Sequence, residues 1–376
     1  MPFLIFAAIL LLLMSLQSVL YTNRALKHVS ANVTFSVPIA SCGDTITITE
    51  TIVNQKALPL PWITLKFEVS RELLFLDMTN TQISDHYYRE DLMSLSGWQQ
   101  HNRSILVHCR RRGYFRFKRL SVSTKDLLLL SLLVSEFPCE STLTVIPRML
   151  NAPEIEILYQ LFCGEYVNRR SPVSDPFTYA GIREYQPWDS YKSINWNATA
   201  KKNGLMSNIF QFTYQREITL LLNVMPFTQS KNYSLLEKCI SLSMTWAARA
   251  AAGAVPVRIA SNSRDILTGA PVNTEFGCSD DHLNRIGIDL ARIDLTKQAV
   301  LFVPCIEKEF EVYGENTTFV IISSNADPSL QQFLIDKHRS GISLSWIVPY
   351  DSITKFPSLE PEVLSFAIPL EVGYDA

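Results

Sequence analysis

Apolar residues recur at every second position through the first half of the chain: Val33, Phe35 and Val37, then Ile46 and Ile48, then Ile63, Leu65, Phe67 and Val69, then Ile105, Val107 and Cys109. Successive side chains of a strand point to opposite faces of its sheet, so this alternation predicts half-buried strands. Cys42-Gly43-Asp44 and Asn54-Gln55-Lys56 supply turns, and Leu58-Pro59-Leu60-Pro61 demands an extended edge segment or a crossing between sheets. An antiparallel β-sandwich over residues 23–150 is the economical architecture. Within it Arg110, Arg111, Arg112, Arg116, Lys118 and Arg119 crowd one hairpin. Alternation through Phe115 and Phe117 reads as a solvated strand face, with contact to anionic lipid headgroups through Arg110, Arg111 and Arg112 as the functional alternative.

The period changes after residue 216. Ile218 to Val224 is a continuous apolar run of the kind a buried parallel strand needs. Ser234-Leu235-Leu236-Glu237 reads as a capping box opening a helix to about Ala252, with Gly253 and Pro256 closing it. A strand over Pro256–Ala260, a helix capped by Ser279, a strand over Thr318–Ser323, a helix opened by Asp327-Pro328 and a strand over Ile342–Val348 follow. Strands alternating with helices predict a doubly wound α/β domain over residues 216–376.

Phe3 to Tyr21 holds no charged residue. At about 1.5 Å per residue it approaches the roughly 30 Å hydrocarbon core, which predicts a transmembrane anchor over residues 1–22. A cleaved signal peptide is the alternative, but the basic n-region is missing and Arg24 and Lys27 come after the apolar run. That placement favours a single-pass protein of the cell membrane with its main domains in the cytoplasm.

Across 376 residues the formal net charge is only -2, so no global basic field speaks for nucleic acid. Apolar content of 47% is ample for two cores. Seven scattered cysteines without a C-x-x-C signal neither a disulfide framework nor a zinc site, and the six histidines form no metal spacing. His108 and Cys109 are adjacent on a predicted strand and should face opposite ways, which makes them a poor dyad. No catalytic residue, metal or cofactor is therefore expected, and a cysteine hydrolase is the weakest alternative.

Residues 151–215 link the two halves. Gly181–Phe210 interleaves Arg183, Glu184, Asp189 and Lys192 with Tyr185, Trp188, Tyr191 and Trp196. This fits a folded-back loop held by its own ion pairs, with Arg183 and Asp189 as a buried or half-buried pair, Trp196 buried beside them and Trp188 as an exposed docking anchor. The stretch resembles the MoxR-associated proteins of domain of unknown function 58, whose pattern runs roughly G-x-R-E-Y-x-P-G-D-x-x-R-x-I-D-W-x-x-x-A-R. Gly181, Arg183, Glu184, Tyr185, Pro187, Asp189, Ile194, Trp196, Ala200 and Lys201 stand in register with it, while Trp188 replaces a Gly, Lys192 an Arg and Asn195 an Asp. Arg111-Arg112-Gly113-Tyr114 and Ser123-Thr124-Lys125-Asp126 are similar to the family's R-R-G-x-Y hairpin and T-x-D segment.

The resemblance implies a von Willebrand A-like second domain and a MoxR-type AAA+ ATPase as partner. Domains of that type often hold a cation through D-x-S-x-S, and the corresponding residues here are Asn223-Val224-Met225-Pro226-Phe227. One amide oxygen among apolar side chains is not a site for a hard cation, so Asn223 is expected to satisfy local backbone. The expectation is a non-enzymatic, membrane-anchored adaptor; an extracytoplasmic adhesion protein is the alternative from another class.

Overall fold

The computed structural model describes residues 2–84, 86–117, 119–126, 129, 131–151, 153, 155–160, 162, 174–186, 191–202, 204–212, 217–225, 232–314, 317–351 and 365–370. The alternating half forms strands β1 (Val29–Phe35), β2 (Ile39–Ser41), β3 (Thr45–Asn54), β4 (Leu60–Val69), β5 (Leu73–Phe75), β6 (Thr81–Ile83), β7 (Tyr87–Leu95), β8 (Gln100–Cys109), β9 (Gly113–Arg116), β10 (Arg119–Lys125), β11 (Leu132–Pro138) and β12 (Thr142–Ile146). One antiparallel sheet has the order β1-β3-β8-β5, a second β11-β10-β4-β7-β6, and a small mixed third β2-β12-β9, in which β2 runs parallel to β12. Inward residues of the first two sheets, among them Val33, Ile48, Leu65, Val107 and Val122, belong to one buried cluster. Phe117 knits it together, stacked on Phe35 at 4.6 Å and edge-on to Phe67 at 5.6 Å. Pro59 and Pro61 lack N–H groups, and the β4–β7 register shifts between Leu60 and Ile63 beside them.

A helix, α1, runs Pro2–Arg24. Among the described residues, however, no helix is long and apolar enough to cross a membrane, which overturns the expected transmembrane anchor and the membrane-anchored fold class. The physical reason is where the second half of the helix goes. Tyr21 and Ala25 are buried in the sandwich core, Ser18 Oγ pairs with Ser131 Oγ at 3.1 Å, and the Tyr21 hydroxyl donates to the Pro59 carbonyl at 3.4 Å. Lys56 Nζ donates to the carbonyls of Ala25 at 2.6 Å and Lys27 at 2.9 Å, closing the helix's C-terminal end. The polar turns therefore belong to the sandwich. The unbroken apolar run left over, Phe3–Met14, falls well short of the roughly 20 residues a span needs.

A ribbon of β13 (Ser174–Glu184) and β14 (Met206–Phe212) carries helix α2 (Trp196–Lys202) between its strands. The remaining chain builds a six-stranded sheet from β15 (Glu217–Asn223), β16 (Val257–Arg264), β17 (Pro271–Asn273), β18 (Thr317–Ser323), β19 (Leu344–Tyr350) and β20 (Ser365–Pro369), in the order β17-β16-β15-β18-β19-β20. All its pairings are parallel except β16 with β17. Leu220 and Leu222 of β15 face helices α3 (Tyr233–Ala252) and α4 (Asp280–Ala291), whereas Leu221 faces α5 (Phe302–Tyr313) and α6 (Pro328–Arg339). Burial on both faces is why this strand reads as a continuous apolar run. Ser279 caps α4 by accepting from His282 N at 3.2 Å. Helix α3 begins earlier than its apparent capping box, because Asn232 accepts from Leu235 N at 3.2 Å.

An arginine of the sandwich reaches into the α/β layer. Arg112, in the turn between β8 and β9, is buried rather than solvated, which removes it from the expected lipid-contact group. Its Nη1 donates to the carbonyls of Leu290 at 2.9 Å, Ala291 at 3.3 Å and Ile293 at 3.0 Å, at and just past the end of α4. Its Nη2 donates to Glu237 Oε1 of α3 at 3.1 Å, and its Nε lies 2.8 Å from Glu237 Oε2 as an ion pair. Burial draws the guanidinium's pKa down from its ordinary value and the Glu237 carboxylate opposes that. Arg110 and Arg111 are exposed, Arg111 Nη1 lying 3.1 Å from Glu72. Beside the pin, α4 approaches β12 so closely that a methyl group on Gly287 would sit 3.2 Å from Ile146 Cγ2.

Removing Arg112 leaves a half-buried carboxylate without its cation and the carbonyls at the end of α4 without their side-chain donor, so Arg112→Ala is expected to cost about 3 kcal/mol in denaturant unfolding. Arg112→Lys recovers only part of that, since an ammonium cannot reproduce the guanidinium's spread of donors. A loss below 1 kcal/mol for the alanine variant would show that the pin contributes little. Gly287→Leu should destabilise by about 1 to 3 kcal/mol through overpacking against Ile146, and equal stability would mean the two halves do not hold this approach.

Candidate docking surface

The motif segment folds as a self-bonded unit. Arg183 and Glu184 of β13 pair across the ladder with Ser207 and Met206 of β14. A short helical turn at Tyr191–Ser193 leads into Ile194, which bridges to Ser207, and then into α2. Asn195 organises this corner. Its Oδ1 accepts from Ala198 N at 2.9 Å, capping α2; its backbone N–H donates to Met206 O at 2.8 Å; its Nδ2 donates to Asn208 Oδ1 at 2.7 Å. The last bond gives Asn195 a role that the aspartate of the resembled pattern could not fill, because an ionised carboxylate has no donor. Thr199 Oγ1 accepts from Met206 N at 3.0 Å and Ser193 Oγ lies 2.9 Å from Ser207 Oγ. Ile194, Met206 and Ser207 are buried beneath.

What stands above them is exposed. Tyr191 is 81% and Trp196 67% exposed, with Ile182 and Leu205 about half so. Tyr191 stacks at 6.0 Å on the half-buried Tyr185. Arg183, Glu184 and Lys192 face solvent, and Arg183 Nη1 donates to the Glu184 carbonyl at 3.2 Å. Two expectations are thereby corrected: Arg183 is not a buried charge, and Trp196 is not buried beside it. A ribbon that buries a row of small and aliphatic side chains has no interior for an indole or a guanidinium. Pro187, Trp188 and Asp189 lie outside the described residues, so the Arg183–Asp189 pair and the anchor role of Trp188 do too. Tyr191 was not singled out as an anchor from sequence.

At the carboxyl edge of the parallel sheet Asn223 is 1% exposed. Its Nδ2 donates to Ser323 Oγ at 3.0 Å and its Oδ1 accepts from Met225 N at 2.9 Å and Asn262 Nδ2 at 3.0 Å. Asn262 in turn accepts from Val224 N at 3.0 Å and donates to Val300 O at 2.9 Å. These amides and hydroxyls stitch together the ends of β15, β16 and β18. The carbonyl oxygen that could have served a cation is occupied by two N–H donors. Among the described residues no three His, Cys, Asp or Glu side chains gather as a metal site.

Three of the described thiols, Cys109, Cys239 and Cys305, are poor nucleophiles. Burial pushes Cys109 up to about 11 and Cys239 up to about 12, and raises Cys305 with help from the Glu309 charge. His108 turns to Thr45 Oγ1 at 3.5 Å while Cys109 enters the core.

A further ionisable cluster lies inside the sandwich, comprising Glu50 on β3 with Arg89 and Asp91 on β7, each no more than 1% exposed. Sequence parity marks it: Glu50 falls in step with Ile46, Ile48 and Ile52, and Arg89 and Asp91 in step with Tyr87, so all three occupy inward positions.

No protein-family model matches this chain, and no curated protein matches it. Among solved structures, similarity is reported to the CARDB domain of the PF1109 protein from Pyrococcus furiosus in complex with di-metal ions, at 9% identity, covering 31% of this chain and 87% of that one with a TM-score of 0.22. A non-cellulosomal cohesin from Archaeoglobus fulgidus is 12% identical over 34% of this chain and 97% of its own, at a TM-score of 0.22. A GH20 exo β-N-acetylglucosaminidase from Vibrio harveyi is 9% identical over 87% of this chain and 57% of its own, at 0.25. At these values neither fold nor function carries over to the present chain.

Proposed function

We propose that the protein is a non-enzymatic docking scaffold, with the β13–β14 ribbon and α2 as its binding surface and Tyr191 and Trp196 as the anchors. The observation that carries this reading is the pairing of two strongly exposed aromatic rings with a backbone held by its own hydrogen bonds. Aromatic anchors dominate binding hot spots, and a corner already ordered loses little further entropy on association. Lys201 and Lys202 close α2 with positive charge, which suits a partner whose apolar pocket has an acidic rim. The resemblance of the motif segment points to a MoxR-type AAA+ ATPase as that partner. Arg112 supports the same reading, because it joins the two halves of the chain on which the ribbon stands.

The experiment is capture of a purified MoxR-type ATPase by the full chain and by a Tyr191→Ala/Trp196→Ala variant. Exposed substitutions of this kind shift folding stability by about 0.5 kcal/mol or less, so thermal unfolding should be unchanged. Binding should weaken by about 2 kcal/mol or more, roughly thirtyfold in Kd. Unaltered capture by the variant removes the ribbon as the docking surface, and unfolding of the variant makes the rings structural.

A further inference from the structure

This cluster in the sandwich interior holds two fully buried carboxyl groups, Glu50 and Asp91, and among its described residues one fully buried cation, Arg89. Glu50 sits directly across the β3–β8 ladder from Arg103. From the opposing sheet, Arg89 Nε lies 2.7 Å from Asp91 Oδ2 and 3.8 Å from Glu50 Oε1. Arg103 Nη1 reaches Asp91 Oδ1 at 2.6 Å and its Nη2 is 4.0 Å from Asp77 Oδ2. Asn80 Nδ2 also donates to Asp91 Oδ1 at 3.1 Å, and Arg89 Nη1 donates to the Asp77 carbonyl at 3.1 Å. The strand on the other side of Glu50, β1, presents apolar Val33. Asp91 takes both guanidinium groups, Asp77 stands half exposed at the rim, and Glu50 is the buried carboxyl left without a hydrogen-bonding cation. Both its oxygens are buried and neither receives a hydrogen bond. An ionised carboxylate left that way is costly, whereas a protonated one carries its own donor and has Asp91 as acceptor.

We infer that Glu50 keeps its proton at neutral pH and shares it with Asp91, as a proton-dependent lock joining the two sheets of the sandwich and the segment Leu76–Asn80. That segment carries exposed Leu76 and Met78, is held at its ends by backbone bonds from Leu76 N to Leu106 O at 3.1 Å and from Glu90 N to Asn80 O at 3.0 Å, and meets the cluster through Asp77 and Asn80. Burial first, and the Asp91 charge second, push Glu50 from 4.5 up to about 8. Burial also opposes ionisation of Asp91, yet hydrogen bonds from Arg89, Asn80 and Glu50 hold it below the ordinary value. The sign follows from linkage. The folded chain holds a proton that the unfolded chain releases above about 4.5, so this stabilisation is complete below that pH and is lost as pH rises towards about 8. Within that window each pH unit shifts the folding equilibrium by up to about tenfold.

The test compares thermal unfolding of the full chain and Glu50→Gln between about pH 5 and pH 9. The amide is neutral at every pH and can donate to Asp91, so the variant should lose the wild-type decline over pH 5–8 and be the more stable form at pH 9. Hydrogen exchange at pH 8.5 should be faster in residues 76–81 of the wild type than in the variant. Parallel pH profiles with equal exchange would overturn the lock. Should Glu50→Gln not fold, carboxyl carbon NMR of the wild type decides: one glutamate still protonated above about pH 6.5 supports the inference, and complete glutamate titration below about pH 6 overturns it.

Discussion

The Arg112 pin is the contact on which the arrangement of the chain depends. A β-sandwich and an α/β sheet each bury their own core, and two such bodies joined by a linker move independently unless a specific interface holds them. Here a single guanidinium meets three carbonyls at and just past the end of α4 and the carboxylate of Glu237 on α3. The helix end needs donors, the arginine needs acceptors, and Glu237 compensates the charge, so each group's burial is tolerable only because the others are present. The close approach of Gly287 to Ile146 then lets α4 lie against β12 beside the pin.

Buried polar groups recur as fasteners. Arg258 of β16 is held by Glu309 of α5 at 2.8 Å, by Asn273 of β17 and by the Thr274 carbonyl, with its guanidinium 4.2 Å from the centre of the Tyr313 ring. It fixes a helix and an edge strand to one point of the sheet. The Asn223–Asn262–Ser323 bonds do the same at the sheet's carboxyl edge. The Glu50 cluster differs in holding an excess of acid, which makes its strength depend on a proton rather than on geometry alone.

The ribbon follows the opposite logic. Its polar groups are spent on itself, through Asn195, Thr199, Ser193 and Ser207, and its large rings are left outside. An ordered platform with exposed aromatics can engage a partner without first being rearranged, which is why the proposed function rests on this part of the chain and not on the sheet edge, whose hydrogen-bonding groups are committed internally.

Period-two alternation by itself specified which faces of β1, β3, β4 and β8 turn inward, because that parity is a local property of extended chain. The apolar run of β15 and the Ser279 and Asp327 caps were likewise legible, since buried parallel strands and helix starts leave local signatures. Helix α5 was not: Pro304 in its first turn hides it, though proline is tolerated there. The fate of α1 was beyond local reading, because charge-free length says nothing of whether Tyr21 and Ala25 are claimed by a neighbouring core. Composition treats Arg112 as one of six cations on a hairpin and Glu50 as an ordinary acid. Only the tertiary structure, by bringing α4, α3 and the facing sheet within hydrogen-bond reach, decided that the first is a pin and the second a buried carboxyl. Long-range partners and desolvation set the roles of charged side chains, and neither is written in the spacing of residues along the chain.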